Sequence, residues 1–128
     1  MHCKSIAALI VAAMLAVPVH AADKHDHAHK PLHGGILAEA GDIDAELVSR
    51  ADSLTVHVLE HGKPVATAGA KAVATIHAGS EKLTVSLEPV GENKLAAKGN
   101  FKTGVGVRVA LGLTLQGKPE AKFNFRLK

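Results

Sequence analysis

The sequence predicts an all-β fold, an antiparallel β-sandwich of immunoglobulin-like type with seven or eight short strands, and three observations carry the prediction. Apolar residues alternate with polar ones at period two in several separate stretches, most clearly at Val105, Val107, Val109, Leu111, Leu113 and Leu115. Turn-forming groups rich in Gly, Pro, Asp and Asn recur at roughly ten-residue spacing along the chain. From Leu32 onward, no stretch sustains the 3.6-residue period of a helix. The immunoglobulin marks of a Cys pair around a buried Trp are missing, and a small up-and-down or Greek-key barrel is the alternative architecture.

Ile36-Leu37-Ala38 begins the strands, and Ala40-Gly41-Asp42 turns the chain. Ile43, Ala45 and Leu47 then alternate with Asp44, Glu46 and Val48, the pattern of a half-buried strand. After a turn at Arg50-Ala51-Asp52-Ser53, Leu54, Val56 and Val58 point one way and Thr55 and His57 the other. His61-Gly62-Lys63-Pro64 reads as a turn, and Gly117-Lys118-Pro119 repeats its last three residues. Between Ala70 and Ala78 the inner face is ambiguous, because Ala72, Ala74 and Ile76 compete with Val73 and Thr75. Leu83, Val85 and Leu87 alternate with Thr84, Ser86 and Glu88, and a turn from Pro89 to Asn93 closes that element. A weaker strand over Leu95 to Lys98, the long alternation from Val105 to Leu115, and Phe123, Phe125 and Leu127 complete the domain.

Ahead of the domain, Met1-His2-Cys3-Lys4 leads into an apolar run from Ile6 to Val17. Such a run is too short to span a bilayer, which takes about 20 residues, and the pattern is that of a secretory signal peptide. Val19-His20-Ala21 offers small residues where a signal peptidase reads them, so cleavage is expected after Ala21, with Ala22 the weaker site. The expected organisation is a signal peptide over 1–21, a flexible His-rich leader over 22–31 and a β-sandwich domain over 32–128. The expected location is periplasmic or secreted, with no membrane insertion after cleavage.

Cleavage removes Cys3, the only cysteine, so the domain is left to a hydrophobic core without disulfides, and any metal site to N and O ligands. The core must come from Val, Leu, Ile and Ala, since Trp and Tyr are absent and only three Phe are present. Few aromatics and interspersed charges also argue against nucleic-acid binding. Lys and Arg number 15 against 12 Asp and Glu, a net charge of +3 that falls to +2 with the loss of Lys4.

Histidine is the informative residue type. Nine are present, and four fall in Lys24-His25-Asp26-His27-Ala28-His29-Lys30-Pro31-Leu32-His33-Gly34-Gly35. Imidazole is the commonest metal ligand, and a His-x-His-x-His segment can wrap a cation such as Zn, Cu, Ni or Co. The competing reading is a solvated polar leader, since short His-rich tracts are a compositional signal only. His25, His27, His29 and His33 are therefore the leading candidate ligands, His33 first within the folded domain, although hydrogen bonding that fixes the first strand would account for it equally. Glu46 and His57 share the outward sense of two neighbouring strands and could meet across them. His61 has the parity of His57 but lies about 13 Å along a straight strand, so the two are not a pair. Asp44 and Glu46 as alternating acids on an outer face most often mean solvation, and His77 beside Gly79 is left out of the site. Nothing supports catalysis: no Gly-x-Ser-x-Gly elbow, phosphate loop or His-Glu-x-x-His motif is present.

His33-Gly34-Gly35, Ala40-Gly41-Asp42, Glu46-Leu47-Val48 and Glu60-His61-Gly62-Lys63-Pro64-Val65 together resemble a family of small periplasmic proteins of heavy-metal resistance systems. The same module is similar to a segment of the periplasmic adaptor subunits of cation-efflux pumps, and the resemblance runs from about Leu32 to the end. It implies a module that binds or delivers metal cations beside an efflux pump. In that family the position of His57 is usually aromatic, often Tyr, so this chain departs from the pattern there. The expected function is that of a non-enzymatic, periplasmic transition-metal-binding protein whose partners are metal cations and an efflux-pump adaptor. The rival reading is a β-sandwich docking module whose histidines are incidental.

Overall fold

A computed structural model describes residues 30–128. The segment expected to be a signal peptide and the leader histidines His25, His27 and His29 lie outside the described residues. Within them the chain is all-β and antiparallel: β1 (Ile36–Ala40), β2 (Ile43–Ser49), β3 (Ser53–Glu60), β4 (Lys63–Pro64), β5 (Lys71–Ala78), β6 (Glu81–Pro89), β7 (Lys94–Lys98), β8 (Arg108–Thr114) and β9 (Ala121–Arg126). Eight of these have five or more residues, and β4 is a two-residue ladder against β3. No helix occurs among the described residues, hence none long and apolar enough to cross a membrane.

The strands follow one hydrogen-bonded path, β1-β2-β3-β7-β6-β5-β8-β9. β6 carries the path between the two halves, pairing with β5 from Glu81 to Leu87 and then with β7 only through Glu88 and Pro89. The end strands β1 and β9 lie against each other, so the sheet folds back on itself and nearly closes. Its interior is filled by the inward set of each strand: Ala45 and Leu47, Leu54, Val56 and Val58, Ala72, Ala74 and Ile76, Val109, Leu111 and Leu113, and Phe123 and Phe125. Burying each Val, Leu, Ile or Phe contributes about 1.5–3 kcal/mol, so aliphatic residues can sustain a core with so few aromatics. The ambiguity in β5 resolves for Ala72, Ala74 and Ile76 inside and Val73 outside, because the first set meets Leu87 and Leu113, Leu111, and Val109 across its two neighbours.

Two elements differ from the sequence expectation. The alternation from Val105 to Leu115 is not one strand: β8 starts only at Arg108, and Val105 is 87% exposed. Gly104 and Gly106 flank Val105, and a turn there, closed by the Val107 N–H to the Gly104 carbonyl, breaks the ladder. The other is Leu83, an inward-parity residue in β6 that stays 45% exposed, since β6 has no partner on its second edge at that end.

Candidate functional site

β2 and β3 form a hairpin whose register puts Glu46 directly opposite His57, and β7 puts Lys94 opposite His57 on its other side. These residues have outward parity, since their neighbours Ala45, Leu47, Val56 and Val58 fill the core. They are nevertheless covered: Glu46 is 1% exposed, His57 8% and Asp44 5%. The expectation that Asp44 and Glu46 are solvated acids is therefore overturned. For Glu46 and His57 the cover is the segment ahead of β1, whose residues 32–35 lie against them.

Glu46 holds that segment down. Its Oε1 accepts from the Leu32 backbone N–H at 2.8 Å and from His33 Nδ1 at 3.0 Å. Its Oε2 accepts from the backbone N–H groups of His33 at 2.8 Å and Gly35 at 2.9 Å. Both carboxylate oxygens are thus occupied by a strap of four residues. Gly35 permits the close approach: a Cβ there would lie 2.4 Å from the Leu47 carbonyl oxygen, a distance no side chain can occupy. Burial by itself raises the carboxyl pKa of Glu46, yet the donors from Gly35, the His33 ring, Leu32 and His33 outweigh it and hold it below its ordinary value.

The His33 ring lies flat on the His57 ring, with centroids 3.6 Å apart and planes 3° from parallel. A carboxylate only accepts, so the bond to Glu46 assigns the hydrogen to Nδ1 of His33 and leaves the lone pair of the neutral ring on Nε2. His33 keeps 45% of its side chain exposed, whereas His57 Nδ1 is buried with no hydrogen-bond partner. Burial lowers the pKa of His57, with the charges of His33 and Lys94 adding to the effect and Glu46 opposing it. His57 is therefore kept neutral beneath a ring that stays open to solvent.

The structure brings together His33, Glu46 and His57 from the sequence-predicted set and leaves His61 apart. His61 occupies the tight β3–β4 turn, where it and Gly62 both have positive φ, of 52° and 77°, as a type I′ hairpin turn requires. Its exposed ring lies 3.9 Å from Asp42, not beside His57. Among the described residues, no group of three or more His, Cys, Asp or Glu is arranged to hold a metal ion. No family model, curated protein or solved structure matches this chain. Sequence reasoning missed the strap's backbone donors and Lys94. Glu46 carried the one available signal, an acid of outward parity between core residues with a Gly pair 11 residues upstream.

Proposed function

We propose that this chain binds divalent transition-metal cations, Zn, Cu, Ni or Co, through imidazole nitrogens. In this reading it is an exported protein that buffers such cations or hands them to an efflux partner such as a periplasmic pump adaptor. The observation that supports the reading is the His33 ring, bonded to Glu46 and stacked on His57 where the chain arrives from His25, His27 and His29. A ligating imidazole characteristically donates its other ring N–H to a carboxylate, which fixes the tautomer and strengthens the free nitrogen as a donor. His33 has that partner in place. His57, lying flat beneath the His33 ring, supports it and is not a second ligand, since the in-plane lone pairs of two stacked rings do not converge on one ion. Both oxygens of Glu46 are taken, so its part is to orient His33 rather than to meet the ion. His29 stands four residues before His33, within an extended reach of about 14 Å, so leader and domain imidazoles can serve one cation.

Calorimetric titration with each of the four metals tests the reading at about pH 7.5 and again at about pH 5.5, either side of the imidazole reference pKa of about 6.5. Binding heat is expected at the higher pH and a steep loss at the lower. Replacing His25, His27 and His29 with Ala removes most of the capacity, and His33→Ala weakens the tightest class of site. If none of the four gives heat at the higher pH while circular dichroism reports a folded β domain, metal binding is rejected and the docking module becomes the better reading.

A further inference from the structure

The other half of the sheet carries a second cross-strand row. Lys82 on β6 lies opposite His77 on β5, His77 opposite Arg108 on β8, and Arg108 opposite Arg126 on β9. Their chain neighbours Ile76, Val109 and Phe125 are buried in the core, so this row faces outward. Lys82, Arg108 and Arg126 are exposed and His77 is half-buried. Like charges directly opposite across a ladder destabilise a sheet, and here the register imposes such contacts on a row built only of basic residues. Among the described residues none of the four is ion-paired to a carboxylate, whereas Lys102 and Lys118 elsewhere pair with Glu81 and Glu60.

The row opens onto a surface depression of about 860 Å³ whose far side is formed by Gly79, Val105, Gly106 and Leu127. A smaller one of about 410 Å³ is lined by the same His77, Arg108 and Arg126 together with Ala110 and Asn124. Arg108 and Arg126 thus line both depressions, and among the described residues no carboxylate is ion-paired with either.

We propose that this row binds the phosphate group of a small, soluble phosphorylated molecule. A guanidinium presents its N–H groups as a planar fork that meets carboxylate or phosphate oxygens in pairs. One carboxylate can satisfy one fork, but a phosphomonoester dianion has three terminal oxygens and enough charge to bridge both arginines and reach His77, which lines the same depression. The larger depression falls in the range of about 300–1,000 Å³ typical of small-molecule sites, far more than a bare ion fills. Exposed Val105 and the edge of Leu127 give the organic part an apolar wall. The site shares no residue with the one formed by His33, Glu46 and His57.

The test uses the full mature chain in excess chelator, so that no metal mediates binding. Inorganic phosphate and glycerol 3-phosphate are titrated against it by NMR, with sodium chloride at matched ionic strength as control. Saturable shifts at His77, Arg108 and Arg126 are expected, stronger for the phosphomonoester, and a thermal midpoint that rises with it. Arg108→Gln and Arg126→Gln each weaken binding at least about tenfold, as loss of a charge-assisted bidentate contact implies, while Lys122→Gln changes it less than about twofold. Both Arg variants remove a repulsive contact, so folding is expected to hold, and circular dichroism checks it. The proposal is overturned if chloride reproduces the response, if the Arg variants bind as the parent does, or if the protein binds phosphatidylglycerol vesicles but neither free phosphate.

Discussion

Two cross-strand rows lie on the outside of one sheet, and the fold treats them in opposite ways. In the row Glu46, His57 and Lys94, an acid, a neutral ring and a base follow one another, and a strap covers the acid and the ring. In the row Lys82, His77, Arg108 and Arg126, every member is basic and the face stays open. Outward parity therefore does not decide burial. What decides it is whether another part of the chain has donors to offer the face and the room to approach it. Four N–H donors and a glycine meet that condition over β2; an all-donor row on β8 and β9 offers nothing a backbone N–H can bond.

The most damaging way to break this contrast is to uncover the first row. Glu46→Ala leaves the N–H groups of Leu32, His33 and Gly35 without their acceptor, for an expected loss of about 2–4 kcal/mol in urea unfolding. The figure stays at that level because the freed strap, itself half exposed, can turn its donors to water. Hydrogen exchange should speed up selectively at residues 32–35. Gly35→Ala should release the same segment by steric clash with the Leu47 carbonyl while leaving the carboxylate in place.

Acid should uncover it in two stages in metal-free protein. The folded-state pKa of His57 is lowered, so the unfolded chain takes up the proton first. Its contribution is fully present above the ordinary value of 6.5 and is lost as pH falls below it. Glu46 is also lowered, so its contribution persists until pH falls below 4.5 and then declines. Each group can contribute a slope of up to about 1.4 kcal/mol per pH unit in its window. His57→Phe should keep a flat ring on His33 and abolish the upper stage alone. A stability profile flat between about pH 7 and 5 in the parent would show that His57 does not differ between the two states.

The smallest effect expected belongs to the open row. Arg126→Gln should stabilise the domain by about 0.2–1 kcal/mol, since it removes a like charge opposite Arg108. The gain should shrink in high salt, because exposed charges are screened. A loss of stability instead would mean that the two arginines are held by contacts other than repulsion.

Much of the frame was legible because period-two alternation is a local signal. β2, β3 and β9 follow it residue for residue, and the parity of Glu46 and His57 was readable from their neighbours in the chain. The burial of that pair was not, because it depends on a segment folding back over the face. Val105 misled for the converse reason: its apolar side chain continues the alternation of β8, but the glycines beside it place it in a turn. The basic row could not be read at all, since His77 joins Arg108 only through the pairing of β5 with the distant β8, and Arg108 meets Arg126 only through the register of β8 with β9.

The strap also has a consequence for timing. Every group that builds the clasp lies between Leu32 and His57, and its bonds span only 11 to 14 residues. Loop closure over such distances is cheap in entropy, and local contacts tend to form early. A chain emerging from its amino end can therefore close the clasp once β3 is available, whereas the basic row must wait for Arg126 in β9. In a chain extruded from its amino end, the imidazole pair can thus be in place while the arginine face is still waiting for β9.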